Sequence, residues 1–463
     1  MKYLPNEDSI VALSSPLGNG AIAIIRVSGK QCLSIINPLL KKEIKPEDSR
    51  LALFNELYGS RRAQLIDQVI TTYFRAPGSY TGEDVVEISC HCNPLIINEI
   101  IEAIIKSGAR VAEPGEFTFR AFMNGKLDLS QAEAVAEIIE ARSRQSLTQS
   151  VRHLEGKLSE RINRIKNEIL TNLSLLEINL DFSEEEIQAL PLPELEEKIK
   201  TTNTRIEELL KTYDYGKFLH EGIKLLILGK PNVGKSSLLN LLLEKERAIV
   251  SDIPGTTRDF IEASFQIDGL AVQAVDTAGI RKTDDAIEAT GVEKALDQLP
   301  STDIVLCVFE AHRALDEDDK TLFEIIRDAP EGVKIVFVLN KTDLGCLPEM
   351  KRALAKLTFP LAEISVKGNT GIDQLKNAIK AQLIGDQGLE AEEIVVTSAR
   401  HRKALEKTTN ALSNALQSIQ LKASEEIIAV DIRLALDFLG EITGETTSED
   451  ILNHIFANFC IGK

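Results

Sequence analysis

The spacing of apolar and polar positions changes character three times along the chain. Up to about residue 125, short β-rich runs at 21–27, 68–74 and 84–89 stand between Gly and Pro punctuation, with one helical stretch over 95–106. That pattern predicts an α+β domain. From about Asp128 a helical period takes over. Leu147, Val151, Leu154, Leu158, Ile162, Ile165, Ile169, Leu173 and Leu176 follow at intervals of three and four, averaging about 3.6, which predicts one long helix with a single apolar stripe. The acidic segment 181–186 and the prolines Pro191 and Pro193 break it. A second helix runs to about Tyr213, and helical periodicity returns from about Ala399, for instance over 404–419. Between them, over 223–384, strands alternate with helices. The near-continuous apolar runs 224–228, 272–275, 304–309 and 334–339 read as buried parallel strands. The economical layout is an α/β domain inserted into a helical one, since insertions are tolerated where the host's entry and exit are exposed and close together.

Composition narrows this picture without redrawing it. The 463 residues carry 53 Lys and Arg against 71 Asp and Glu, a net charge of −18. An acidic chain does not coat nucleic acid by bulk charge, because that binding rests on cations neutralising phosphates; a local basic patch or a basic partner stays open. The segment MKYLPNEDSI lacks the pattern of a secretory signal, no run approaches ~18 apolar residues, and six cysteines are too sparse for a disulfide framework. The expectation is a reduced, cytoplasmic protein with no membrane contact. Cys460-Ile-Gly-Lys463 has the outline of a prenylation box, but Gly462 is not aliphatic, Lys463 is not a usual final residue, and no polybasic run precedes it.

The chemistry is concentrated in the inserted domain. Strand 224–228 runs into Gly229-Lys-Pro-Asn-Val-Gly-Lys-Ser236, and a helix follows from Ser237. This fits G-x-x-x-x-G-K-S in its required strand–loop–helix setting, a loop whose backbone N–H groups cradle phosphates while Lys235 reaches them and Ser236 binds Mg²⁺. Asn232, Val233, Gly234 and Ser237 complete the loop. Asp276, Thr277, Ala278 and Gly279 end a strand, placing Asp276 for the Mg²⁺ shell and the Gly279 N–H near a γ-phosphate. Asn340, Lys341, Thr342 and Asp343 end a later strand. A carboxylate there accepts from both N1–H and N2–H₂ of guanine, whereas adenine offers no matching pair. Two such bonds discriminate GTP from ATP by roughly two to four orders of magnitude. Ser251, Asp252, Ile253, Pro254, Gly255, Thr256 and Thr257 lie where a switch loop brings a Thr hydroxyl, that of Thr257, to Mg²⁺. Ser365, Val366 and Lys367 stand where a loop backing guanine is expected. The ordered set predicts a Ras-like P-loop G domain that binds GTP and Mg²⁺. Ile280 follows Gly279 where Ras-like enzymes carry a glutamine, and isoleucine cannot orient water. Either GTP is hydrolysed very poorly or the polar group comes from elsewhere, and the charged run 281–288 offers candidates.

The whole chain resembles the MnmE (TrmE) family of tRNA-modification GTPases. Beyond the GTPase motifs, the likeness rests on Asp8-Ser-Ile-Val-Ala12, Ile25-Arg-Val-Ser-Gly29, Tyr80-Thr-Gly-Glu-Asp84, Pro114-Gly-Glu-Phe117, Lys126-Leu-Asp-Leu129 and Phe459-Cys-Ile-Gly-Lys463. The resemblance implies a multidomain chain: an α+β folate-binding and dimerising domain (1–125), a discontinuous α-helical domain (126–216 and 386–463) and an inserted α/β G domain (217–385). It implies that hydrolysis follows pairing of two G domains around K⁺, with Asn232, Ser251, Ile253 and Thr256 as ion ligands and Glu288 orienting the water. It implies that Arg26, Glu87, Lys126 and Lys463 contact a 5-formyl- or 5,10-methylene-tetrahydrofolate. It also makes Cys460 important for the modification rather than for GTP hydrolysis. The implied assembly is a homodimer joined by an FAD-binding MnmG-type partner in a heterotetramer, acting on C5 of the tRNA wobble uridine to install a carboxymethylaminomethyl-type group. Cys90-His-Cys-Asn-Pro94 departs from the family's His-Gly-Gly-Pro, and no second ligand pair at zinc spacing accompanies it.

Two other classes compete. A non-enzymatic ribosome-associated switch of the Era or Der type would carry a basic RNA-binding appendage or tandem G domains, and this chain has acidic flanks and one P-loop. A dynamin-like membrane GTPase could claim the amphipathic stretch 147–176, whose apolar stripe is more simply core.

Overall fold

The computed structural model describes residues 8–16, 18, 20–59, 64–181, 191–245, 263–275, 298–327, 329–330, 332–384 and 394–463. Two compact units emerge: Met1–Ala136 with His153–Ile199 and Asn410–Lys463, and Glu137–Arg152 with Lys200–Thr409.

The first unit begins with a six-stranded sheet. Its strands are β1 (Ile10–Leu13), β2 (Ile22–Ser28), β3 (Ala52–Tyr58), β4 (Leu65–Phe74), β5 (Val85–His91) and β6 (Arg110–Val111), in the order β3-β4-β5-β2-β1-β6. Only β1 and β6 pair in parallel; the other neighbours are antiparallel. Alternation along the strands sends Ala23, Ile25, Val27, Val69, Tyr73, Val86 and Ile88 into one core. Helices α1 (Cys32–Ile36) and α2 (Pro94–Lys106) supply the other side of that core through Cys32, Ile35, Ile97, Ile100 and Ile104. α2 starts where it does because Asn93 accepts from the Leu95 N–H at 2.9 Å and Pro94 takes the first helical position. The opposite face keeps Ile22, Phe54 and Ile70 exposed.

Several motifs behind the resemblance meet in one ion network beside this sheet, where α3 (Glu116–Met123) docks. Arg120 pairs with Asp8 (2.9 Å), Glu116 (2.9 Å) and Glu83 (3.2 Å), and Arg110 pairs with Asp8 (2.6 Å) and Glu116 (2.5 Å). Ser28 hydroxyl donates to Glu83 at 2.8 Å and lies 2.7 Å from the Thr81 hydroxyl. Burial acts to raise the Glu116 carboxyl, but hydrogen bonds from Arg110 and Arg120 outweigh it and hold the group below the usual carboxylate range.

The period-3.6 stretch forms two helices rather than the single one expected. After α4 (Leu129–Glu140) come α5 (Arg144–Leu154) and α6 (Lys157–Asp181). Gly156, at φ +83°, turns the chain between them; its N–H donates to the His153 carbonyl at 2.9 Å, and Gln131 Nε2 donates to the Leu154 carbonyl at 2.8 Å. The stripe is core only from Leu158 to Leu176, while Leu147 and Val151 are exposed. α6 runs against the later helix Glu425–Thr443, with Arg433 Nη2 2.6 Å from Glu177.

The helices α7 (Leu192–Lys211) and α8 (Tyr213–Glu221) lead into the second unit's sheet. This contains β7 (Ile223–Leu228), β8 (Ala263–Ile267), β9 (Leu270–Ala274), β10 (Ile304–Glu310), β11 (Lys334–Asn340) and β12 (Leu361–Glu363), ordered β12-β11-β10-β7-β9-β8. All pairings are parallel except β8 with β9, so the 272–275 run is parallel to β7 on one side and closes an antiparallel hairpin on the other. Buried residues on both sides of β7, β10 and β11 explain their continuous apolar runs. α9 (Lys235–Lys245), α10 (Glu317–Arg327), α11 (Pro348–Ala355) and α12 (Ile372–Ile384) connect them. The chain ends in α13 (Ala399–Gln420), α14 (Glu425–Thr443) and α15 (Glu449–Ala457). Among the described residues, no helix is long and apolar enough to cross a membrane.

Candidate nucleotide site and C-terminal polar site

The phosphate-loop sequence leaves the carboxyl end of β7 and enters α9, the side of a parallel sheet where ligands bind. Its glycines are demanded by neighbours. A Cβ on Gly229 (φ +149°) would lie 2.5 Å from the Val308 carbonyl oxygen, and one on Gly234 (φ +104°) would lie 2.3 Å from Asn340 Nδ2. Asn232 sits at φ +63°, a conformation asparagine tolerates. Lys235 donates from Nζ to the carbonyls of Gly229 (2.6 Å) and Lys230 (2.7 Å), and burial pulls its ammonium below the usual lysine range. Ser236 and Ser237 occupy the first turn of α9.

Asn340 is buried between two loops. Its Nδ2 donates to the Val233 carbonyl at 2.8 Å, and its Oδ1 accepts from the Val366 N–H at 3.2 Å. One side chain thereby ties the phosphate loop to the loop carrying Ser365, Val366 and Lys367. Lys341, at φ +64°, ion-pairs with Glu310, and the Thr342 hydroxyl donates to the Ile364 carbonyl at 3.0 Å. Asp343 stands exposed with its carboxylate accepting from Ser365 Oγ at 2.6 Å. That hydrogen bond, with the Lys367 charge, lowers the Asp343 carboxyl from its ordinary value, so it is a committed acceptor. Ser251, Asp252, Ile253, Pro254, Gly255, Thr256, Thr257, Asp276, Thr277, Ala278, Gly279 and Glu288 lie outside the described residues. Glu310, which anchors Lys341, was not singled out by sequence. Its place at the end of a buried strand was the available signal.

The second site lies in the other unit. Arg26 and Glu87 are direct partners across β2 and β5, and Arg26 donates to Glu87 Oε1 from Nε (2.9 Å) and Nη2 (2.8 Å). Its guanidinium lies 5.4 Å from the Tyr80 ring centre and 5.7 Å from that of Phe117. The C-terminal tail arrives beside it. Arg26 Nη1 donates to the Gly462 carbonyl at 3.4 Å, as does Ser14 Oγ at 3.1 Å. Burial and the Arg26 charge lower the Lys463 ammonium from its ordinary value, opposed by Cys460 and Glu87. Gly462 fits only as glycine, since at φ +94° a Cβ would meet the Leu13 carbonyl oxygen at 2.1 Å. Cys460 is an exposed free thiol whose carbonyl accepts from the Gly115 N–H at 3.4 Å. Lys126 is placed at the neighbouring cis Ala76-Pro77 turn, donating to the Pro77 carbonyl at 3.0 Å. Tyr80 and Phe117 belong to the segments 80–84 and 114–117, and nothing in those segments shows that their rings flank Arg26.

The cysteine pair of the departing segment 90–94 is split. Burial pushes the Cys90 thiol up to about 11, while Cys92 lies 3.6 Å from the Gly18 carbonyl. His91 turns to Asp67, Nδ1 to Oδ1 at 2.8 Å. Among the described residues, no group of three or more His, Cys, Asp or Glu is placed to hold a metal ion.

A phosphate loop at the end of a central parallel strand, tied through Asn340 to an exposed carboxylate held by Ser365, defines a P-loop G domain. Comparison with known proteins supplies the family. Residues 129–460 match the MnmE helical domain and residues 9–126 match the GTP-binding protein TrmE N-terminus. Proteins named tRNA modification GTPase MnmE from Syntrophus aciditrophicus (41% identical over 99% of this chain), Aquifex aeolicus (42% over 98%) and Natranaerobius thermophilus (39% over 99%) align over 100% of their own lengths. The chain belongs to the MnmE (TrmE) family of tRNA modification GTPases.

Proposed function

We propose that this protein hydrolyses GTP in the K⁺-stimulated, Mg²⁺-dependent manner of a paired G domain, and uses it in modifying the wobble uridine of tRNA. In this reading a tetrahydrofolate supplies the one-carbon unit, and the domains divide as 1–125, 126–216, 217–385 and 386–463. The observation that carries it is the convergence of Arg26, Glu87 and the Gly462–Lys463 tail, a polar group with no evident need in a nucleotide switch. Glu87 provides a carboxylate for the donor edge of a pterin, Arg26 and Lys463 provide cations for a glutamyl tail, and Tyr80 and Phe117 wall the guanidinium. Bound there, 5-formyl- or 5,10-methylene-tetrahydrofolate would supply a one-carbon group at the level of formate or formaldehyde. Lys126, nearby in the fold's first unit, and Cys460, exposed on the docked tail, complete the set.

On the nucleotide side, Lys235 meets the phosphates and Asp343 reads guanine. Ser236 and Thr257 hold Mg²⁺ with Asp276 in its shell, and Asn232, Ser251, Ile253 and Thr256 hold K⁺. Glu288 orients the attacking water, a role Ile280 cannot fill. The exposed apolar row Phe54–Ile70, with Ile22 on the same sheet, supports a homodimer through the N-terminal domain. A basic FAD-binding MnmG-type partner, assembled as a heterotetramer in the cytoplasm, would bring the tRNA electrostatics that a net charge of −18 does not supply.

The test compares GTP turnover in KCl and NaCl and measures 5-formyltetrahydrofolate binding to the full chain. K⁺-specific stimulation, abolished in Glu288→Ala with GTP affinity kept, together with folate binding lost on removing residues 460–463, is the expected result. Equal rates in both salts and no folate binding would return the protein to the Era/Der class of switches.

A further inference from the structure

Lys230, the second residue of the phosphate loop, has no role in the reading above. Its side chain is 8% exposed, and its ammonium sits between two carboxylates: Asp319, 2.9 Å away and 3% exposed, and Asp316, in direct contact. Both acids belong to the start of α10 and are already fixed by capping it. Asp316 Oδ1 accepts from the Asp318 and Asp319 N–H groups at 3.1 and 3.3 Å, and Asp319 Oδ2 accepts from the Asp316 N–H at 3.1 Å. The backbone of Lys230 does something different: its carbonyl accepts from Lys235 Nζ at 2.7 Å, next to the Gly229 carbonyl at 2.6 Å. One residue is therefore gripped at its head by a helix start and holds Lys235 at its backbone.

We propose that Lys230 is a positioning residue for Lys235, the grip of Asp316 and Asp319 on its ammonium fixing the carbonyl that aims Lys235 at bound phosphate. Two physical arguments carry this. A lysine ammonium on a four-carbon stem with three rotatable donors is aimed only by the acceptors around it, and two carbonyls of one short loop are those acceptors here. Two cations also stand five positions apart in one phosphate loop, and only one can be the site's free positive charge. The two carboxylates neutralise Lys230 and leave Lys235 to act. A buried ammonium stripped of its partners is strongly unfavourable, so the clamp is obligatory rather than incidental.

The inference rests on the reading of 229–236 as the phosphate loop, and a double-mutant cycle separates the two. The measurement is the dissociation constant of a fluorescent GDP analogue for the full chain. Lys235→Ala is expected to weaken GDP about 100-fold, and GDP binding unchanged in that variant overturns the phosphate-loop reading itself. Lys230→Met is expected to weaken GDP about ten-fold, and Asp319→Asn about three-fold because Asp316 remains. The double variant Lys230→Met/Lys235→Ala should bind no worse than Lys235→Ala alone, since the carbonyl then has no ammonium to place. A further ten-fold loss in the double variant would assign Lys230 a direct phosphate contact or a purely structural role, and overturns the proposal; so does wild-type affinity in Lys230→Met. Should Lys230→Met fail to fold, the isosteric Asp319→Asn runs the same cycle with Lys235→Ala.

Discussion

Around Lys235, the contacts that shape the phosphate end of the nucleotide site reach five and six residues along the chain; around Arg26 they reach 61 residues to Glu87 and 436 to Gly462. The first set of contacts lies within one strand–loop–helix turn, which Asn340 and the Asp316–Asp319 pair brace from later elements. The second exists only when β2, β5 and the tail are all in place, so its chemistry is bound to the stability of the whole unit. The arginine network shows how that unit is held. Asp8, Glu83, Glu116, Arg110 and Arg120 come from four separate segments, and Glu116 is nearly inaccessible at 2% exposure.

The largest effect is expected of Glu116→Gln, which removes the more deeply buried of the two carboxylates that Arg110 and Arg120 share and leaves them Asp8. Breaking a buried pair costs about 3–5 kcal/mol, read as a lowered denaturation midpoint, and folate binding should fall with it while nucleotide affinity holds. The same network sets an acid limit. Asp8 and Glu116 have carboxyls held below their unfolded values, so their stabilisation is complete above about pH 5 and is lost as pH falls through the lowered folded values. Acid unfolding of the wild-type chain followed by circular dichroism should show that limb, and Glu116→Gln should flatten it.

A smaller effect, confined to binding, is expected at the nucleotide site. Asp343→Asn should weaken GTP by roughly 10- to 100-fold in competition with a labelled nucleotide and leave the melting temperature near wild type. A comparable fall in stability would mean that Asp343 is tied into the fold as deeply as the Arg26 cluster.

Gly462→Ala probes the tail alone. The 2.1 Å approach of a Cβ to the Leu13 carbonyl must be relieved by moving the tail, so folate affinity should fall by about ten-fold with GTP hydrolysis intact. Unchanged folate binding would remove Gly462 and Lys463 from the site.

The smallest effects test the helix break. Gly156→Ala should cost about 1–2 kcal/mol, because a left-handed conformation is strained for an L residue. By contrast, Leu147→Ser, on the exposed part of the apolar stripe, should change stability by no more than about 0.5 kcal/mol.

The α/β insertion and its phosphate loop were legible because buried parallel strands are continuous apolar runs and the loop's glycines and lysine lie within eight positions. The break at Gly156 was not legible, since the 3.6-residue period continues through it and only the chain's turn at φ +83° reveals the second helix. The antiparallel hairpin β8–β9 was missed for a related reason: β9 has the apolar look of its parallel neighbour on β7. The charges Arg26 and Glu87 were visible only through resemblance, because an isolated charge on a strand is ordinarily a surface group.

What the sequence showed unaided was the class of each segment, the nucleotide motifs and the family resemblance, because each motif is a short run of neighbouring residues even where the set spans the chain. Tertiary structure decided what depends on distance across it. It decided that Asn340 binds two loops together, that Lys230 spends its charge on the start of α10, and that Arg26 meets the final residues. The physical reason is that a hydrogen bond or ion pair is a matter of ångströms in space, and only backbone-local geometry converts sequence spacing into such distances.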